Sequence, residues 1–228
     1  MLVIGLDGDD TLWHNERVFS MTEARFRELV DPWVDGAPLD EHLLETERRN
    51  LAMFGYGAKS FTLSMIETAI EVSHARVPAT VIAELIEAGK QMLSHPVELL
   101  DGVVETIPTL SESWHLLLIT KGDLFHQESK LAQSGLLPYL HDVEIVSEKD
   151  PSAYERVLAS HDIDPADFVM VGDSLRSDIA PVLSLGGRGV HIPGFRVWEL
   201  DRATVPASDR WWTLESIRDL PDLLASLG

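Results

Sequence analysis

The chain has no cysteine among its 228 residues, which removes disulfides, thiol nucleophiles and thiolate zinc sites together. Its chemistry must come from oxygen and nitrogen groups. Basic residues are scarce too: 18 Lys and Arg stand against 38 Asp and Glu, a formal charge of -20 that repels phosphate backbones and argues against nucleic acid as a partner. An anionic substrate then needs local positive charge or a metal. Long apolar runs are missing, and the first residues enter a strand rather than a basic and then apolar export signal. The expectations are no membrane span and a cytoplasmic location. No two of the 9 histidines are spaced to share one helical turn, which speaks against a histidine metal site. What is abundant is apolar surface: a hydrophobic content of 45% is ample for a buried core in one large domain or a domain with an insertion.

The apolar pattern changes twice along the chain. Leu2 to Leu6 reads as a strand, and from Arg17 to His95 the spacing is helical throughout. Phe19, Phe26, Leu29, Val30 and Trp33 form one stripe, and Leu43, Leu44, Leu51 and Phe54 a second. Leu63, Ile66, Ile70 and Val72 suggest a third helix, and Val81, Ile82, Leu85, Ile86 and Leu93 a fourth behind Pro78. Four such helices can form a small bundle. Beyond Leu99 helices and strands alternate, with helices predicted at 102–110, 125–134, 152–160 and 178–185. The matching strands are predicted at 114–119, 143–146, 168–171 and 189–192. Alternation of this kind predicts an α/β fold, a Rossmann-like parallel sheet between two helical layers. The first strand belongs to that sheet, so residues 17–95 read as an insertion into a core made of 1–16 and 96–228.

Both acidic clusters follow strands. Asp7-Gly8-Asp9-Asp10-Thr11 leaves the first strand and Gly172-Asp173-Ser174 the one ending at Val171, so both stand at the carboxyl edge where open α/β sheets gather function. Asp7 and Asp9, two apart around a glycine, can face one reacting centre, with Asp7 as nucleophile and Asp9 as acid and base. Thr120 closes the strongest aliphatic strand, and its hydroxyl and the amides of Lys121 and Gly122 can hold phosphoryl oxygens. Lys149, just before Asp150-Pro151, can offset phosphoryl charge, with Lys121 and Lys130 as rivals. Asp173 can join the first carboxylates in an oxygen-only site suited to magnesium, with Asp178 binding metal-bound water or orienting Lys149 and Ser174 capping a helix. Each residue also has a bland role available: aspartates cap turns, a threonine ends a strand, lysines face solvent. A calcium loop is excluded, because the sixth position from Asp7 is Leu12 and the twelfth is Val18.

In order, Asp-x-Asp-x-Thr, a strand ending in threonine, a lysine, and Gly-Asp-Ser with Asp178 five residues after Asp173 resemble the four signature motifs of the haloacid dehalogenase-like hydrolase superfamily. The resemblance implies that Asp7 is the nucleophile and that Asp9 is the acid and base whose main-chain carbonyl also binds magnesium. It makes Thr120 and Lys149 the phosphoryl-binding pair, Asp173 a magnesium ligand and Asp178 its supporting partner. The helical insertion is similar to the family's first cap type, a lid over the core site. Dehalogenases of the family typically lack the second aspartate, so Asp9 favours a magnesium-dependent phosphatase acting on a small phosphorylated metabolite, as monomer or homodimer. Alternatives are a sugar-phosphate mutase, a 2-haloacid dehalogenase, or a non-catalytic binding module docking through the helices. A phosphoacceptor signalling domain fits less well, because its aspartate belongs on a later strand. Trp13, His14, Asn15 and a loop spanning Gly55 to Phe61 are candidates for substrate contact. Gly186-Gly187-Arg188-Gly189 reads as a turn, and Trp211 and Trp212 as packing for a final helix or a self-association surface.

Overall fold

A computed structural model describes residues 2–34, 36, 38–204 and 207–227. The chain divides into two compact units, Met1–Glu16 with Val97–Gly228, and Arg17–Pro96. Strand β1 (Val3–Leu6) is followed by helices α1 (Glu16–Val30), α2 (Leu39–Phe54), α3 (Ala58–Val72) and α4 (Ala79–Leu93). Then come α5 (Val103–Ser111), β2 (His115–Lys121), α6 (Leu124–Ser134), β3 (Asp142–Val146), α7 (Pro151–Ser160) and β4 (Phe168–Gly172). The last elements are α8 (Ala180–Ser184), β5 (Arg188–His191), β6 (Trp211–Thr213) and α9 (Leu220–Leu227).

Among the described residues six strands form one sheet in the order β3-β2-β1-β4-β5-β6, and every neighbouring pair is parallel. The reason is visible in β2 and β4, which are continuous apolar runs buried on both faces, as a parallel sheet under two helical layers requires. Successive residues of β2 point to opposite faces. Leu116 and Leu118 join Ile4, Leu6, Val169 and Val171 against Val103, Ile107, Leu131 and Leu220, from α5, α6 and α9. Leu117 and Ile119 join Phe168 and Met170 against Tyr154, Val157, Leu158 and Val182, from α7 and α8. No helix among the described residues is long and apolar enough to cross a membrane.

Several sequence expectations need correction. Trp211 and Trp212 lie in β6, a sixth strand that sequence reading missed, parallel to β5 with Gly189 opposite Trp211, and Trp212 packs against the core cluster that includes Leu220 and Leu224 of α9; three residues are too few to show a strand period. The predicted helix from Asp178 begins earlier, as a π-helical turn over Leu175–Ile179 that runs into α8. In the second unit α3 packs between α2 and α4, but its buried stripe is Ala58, Phe61, Met65, Ala69 and Val72. Leu63 and Ile70, placed on that stripe from the sequence, are each 43% exposed. Buried Ser64 explains the shift: its hydroxyl receives Asn50 Nδ2 from α2 at 3.2 Å, so a polar contact turns this helix where aliphatic counting would not. The loop read as Gly55 to Phe61 is shorter, since α3 starts at Ala58 and both Ala58 and Phe61 are buried.

Candidate active site

In this strand order the chain moves from β1 outward to β2 and β3, then returns to β4 on the other side. β1 and β4 therefore flank the topological switch point, where a crevice opens at the carboxyl edge. Leu6 pairs with Val171, and the Asp7 amide continues the ladder by donating to Val171 O at 2.9 Å. Asp7 leaves one strand as Asp173 leaves its neighbour. Asp7, Asp173 and Asp178 each offer a carboxylate oxygen within 4.8 Å of the others.

Asp178 reaches this point from the π-helical turn. Its amide donates to Ser174 O at 2.9 Å, the Ser174 hydroxyl accepts from Ser177 N at 3.1 Å, and Asp178 Oδ2 in return accepts from Ser174 N at 3.0 Å. A π-turn adds the extra residue that folds the carboxylate back under the strand end. Gly172 leaves room for it: a Cβ there would lie 2.2 Å from Asp178 Cγ. Close approach is also the reason for Gly8, whose Cβ would lie 2.6 Å from the Trp13 ring.

Lys149 is buried at the mouth of α7, where Asp150 caps the helix by accepting from Ala153 N at 2.7 Å and Pro151 supplies the first turn. Its ammonium lies 2.5 Å from Asp7 Oδ1 and 2.7 Å from Asp178 Oδ1. Burial works against that charge, but Asp178 and Asp7 outweigh it and hold the amine well above the ordinary lysine range. For Asp7 burial dominates, and with the charge of Asp178 it lifts the carboxyl to about 7 despite Lys149. Asp173 is raised as well, by burial first and then by the charges of Asp7, Asp178 and Asp10. Three carboxylates share one ammonium here, and the two negative charges left over match one divalent ion. An all-oxygen donor set of this kind suits a hard cation.

Thr120 is buried at the same carboxyl edge of the sheet, one residue before the end of β2, and its Oγ1 has no hydrogen-bond partner. A hydroxyl buried without a partner is costly unless something is to bind it. The Lys121 ammonium is engaged by Ser177 Oγ at 2.8 Å and Asp201 Oδ1 at 3.2 Å, and the Gly122 amide is directed at Val146 O, 3.4 Å away. β2 continues one residue past Thr120 to Lys121, and the Gly122 amide follows it toward β3.

Asp9 stands apart from the carboxylate cluster in a socket of its own. Trp13 Nε1 donates to Oδ1 at 2.6 Å, Lys130 Nζ to Oδ1 at 2.8 Å, and Gln127 Nε2 to Oδ2 at 2.9 Å. Burial alone would raise this carboxyl, but Lys130, Gln127 and Trp13 together hold it below the ordinary range. Asp10, grouped with the site by sequence, instead accepts from Asn15 N and Glu16 N at the start of α1. The Asn15 side chain accepts from Lys130 at 2.8 Å, and His14 is tied by its amide to Glu98 O. Sequence reading placed Lys130 as a rival to Lys149 and gave Gln127 no part. Tyr154, whose hydroxyl donates to Ser177 O at 3.0 Å beneath Asp178, was missed; no local spacing marks it.

Comparison with known proteins agrees with this geometry. A haloacid dehalogenase-like hydrolase family model matches residues 1–186. The crystal structure of a haloacid dehalogenase-like family hydrolase from Xanthomonas campestris superposes with a TM-score of 0.89 at 44% identity, over 100% of this chain and 91% of that one. The N-acylneuraminate-9-phosphatase of Mus musculus is 29% identical over 143 residues. That alignment takes in 59% of this chain and 55% of the mouse protein, so the match spans about half the length of that relative. The 2-haloacid dehalogenase of Pseudomonas syringae pv. Tomato DC3000 shares the fold, with a TM-score of 0.66 at 21% identity over the full length of both chains.

Proposed function

This chain belongs to the haloacid dehalogenase-like hydrolases, and on that footing we propose that it is a magnesium-dependent phosphatase acting on a small phosphate monoester through an aspartyl phosphate on Asp7. The observation that carries the reading is the buried set of Asp7, Asp173, Asp178 and Lys149 at the switch point, two charges negative, with the unpartnered hydroxyl of Thr120 at the same sheet edge. Asp7 and Asp173 would hold the ion with their carboxylates and Asp9 with its main-chain carbonyl. Asp178 gives one oxygen to Lys149 and the other to the Ser174 amide, so it acts by orienting the ammonium. The bound ion supplies Lewis-acid neutralisation of the phosphoryl oxygens.

The rest is the work of this chain's own groups. Thr120 Oγ1 and Lys149 Nζ bind the phosphoryl oxygens and hold phosphorus in line with Asp7. An Asp7 oxygen attacks, the ester P–O bond breaks, and the departing alcohol takes a proton that Asp9, ionised in its resting socket, has first accepted from solvent. Water then attacks phosphorus, giving its proton to Asp9, and the P–O bond to Asp7 breaks to release phosphate and restore the carboxylate. Asp9 is the feature that favours phosphate over halide chemistry, since a halide leaving group takes no proton.

The test sets an aryl phosphate, with and without magnesium, beside 2-chloropropionate. Phosphate release that requires magnesium, with no chloride release, is expected, together with loss of turnover in Asp7→Asn and a fall of about 10²-fold or more in Asp9→Asn. Chloride release without phosphate release, or full phosphatase activity in Asp7→Asn, overturns the proposal.

A further inference from the structure

The geometry points to Lys130, seconded by Gln127, as the positioning residue that holds Asp9 as the base of the second step; we infer this on the footing of the phosphatase reading above. The two side chains stand on one face of α6, three residues apart and therefore neighbours across a helical turn. Both are buried, Gln127 to 4% and Lys130 to 8% exposure. α6 presents them because its first turn is pinned: Asp123 accepts from His126 N at 3.0 Å through its side chain and from Gln127 N at 2.9 Å through its carbonyl. Buried Leu131 fastens the next turn into the core of the sheet unit.

The socket orients a carboxylate rather than merely neutralising it. A carboxylate has about four acceptor positions on its two oxygens. Trp13 Nε1 and Lys130 Nζ take two on Oδ1, and Gln127 Nε2 takes one on Oδ2. The position left open is on Oδ2. The donors are themselves fixed from behind, Lys130 by Asn15 Oδ1 at 2.8 Å and Gln127 by Lys121 O at 3.0 Å, so rotating the carboxylate breaks several bonds together. Exposed pairs such as Arg25 with Glu84, whose side chains are 49% and 51% exposed, have no such backing and contribute little. In the second step the water oxygen bonds to phosphorus, its proton passes to Asp9 Oδ2, and the P–O bond to Asp7 breaks with its electron pair returning to Asp7. Lys130 and Gln127 touch none of the reacting atoms and act only through Asp9.

An aryl phosphate separates the two steps, because an aryl oxide departs with little need of a proton. With magnesium present, kcat/KM for that ester reports formation of the aspartyl phosphate, while kcat reports its hydrolysis once that step is slow. Lys130→Met is expected to lower kcat about 10²-fold with kcat/KM held within about threefold, and acid quenching should trap phosphorylated protein that the parent does not accumulate. Gln127→Leu should show the same split at about tenfold, which keeps the test open if Lys130→Met does not fold, and Lys130→Arg should recover most of kcat. A parallel fall in kcat and kcat/KM in folded variants, or no change in either, overturns the inference and leaves the phosphatase reading standing. Absence of aryl phosphate turnover in the parent protein overturns both.

Discussion

Replacing Lys149 with Met would leave Asp7 and Asp178 facing one another in a buried space with no cation between them. Removing one partner of a buried ion pair costs about 3 kcal/mol or more, and the loss should appear in urea denaturation of the metal-free protein at pH 8. It should shrink at pH 5, because Asp7, lifted to about 7 in the fold, is then protonated and needs no counter-charge. Equal losses at the two pH values would show that the ammonium does not compensate Asp7. Much of this residue-level arrangement is legible in the sequence, since Asp7, Thr120 and Asp173 each mark the end of an aliphatic run and a parallel sheet aligns strand ends. The socket of Asp9 is not legible. Its contacts to Gln127 and Lys130 cross 118 and 121 positions and arise only when α6 packs beside the exit of β1. A lysine on an amphipathic helix gives no sign, in sequence, of which carboxylate it will meet.

The junction of β4 with its π-helical turn is where one atom matters most. A methyl group in Gly172→Ala would enter the space of Asp178, 2.2 Å from its Cγ, and overpacking of this kind costs about 2 kcal/mol. We expect lowered thermal stability together with at least about tenfold lower turnover, because the displaced carboxylate releases Lys149; unchanged kinetics would detach Asp178 from the ammonium's placement. Elements were legible in proportion to the strength of their period. β2 and β4, buried on both faces, stand out as unbroken apolar runs. β6 does not, with three residues at the sheet edge, and α3 misleads because Ser60, Ser64 and Thr68 are buried where an apolar template looks for aliphatic side chains. The Ser64 hydroxyl is satisfied within the helix by Ser60 O at 3.0 Å, whereas Thr68 Oγ1 is buried without a partner. The π-turn has no sequence signature at all, since it differs from an α-turn by one residue placed to aim Asp178.

Across the whole molecule, acidity couples stability to metal. The ordinary Asp7 value of 3.8 becomes about 7 in the fold, so the folded form holds its proton more tightly than the unfolded chain. Its contribution is complete below about pH 4 and is lost as pH rises to about 7, and Asp173 pushes in the same direction. A divalent ion binds the deprotonated carboxylates and offsets that loss. The rise in Tm given by millimolar magnesium should therefore grow between pH 5 and pH 8, to about 5 °C, as scanning calorimetry with and without chelator would record. A rise independent of pH would place the ion elsewhere. The strand order has a further consequence, for biogenesis. Of the six strands β1 leaves the ribosome first, yet it lies in the interior of the sheet, and its β4 edge stays open until Phe168–Gly172 has been translated. The stretch Arg17–Pro96, a compact unit of its own, further separates β1 in sequence from its partner strands. Through most of synthesis the nascent chain thus carries an unpaired apolar segment, the kind of interval in which strand edges find wrong partners and chaperones have the most to protect.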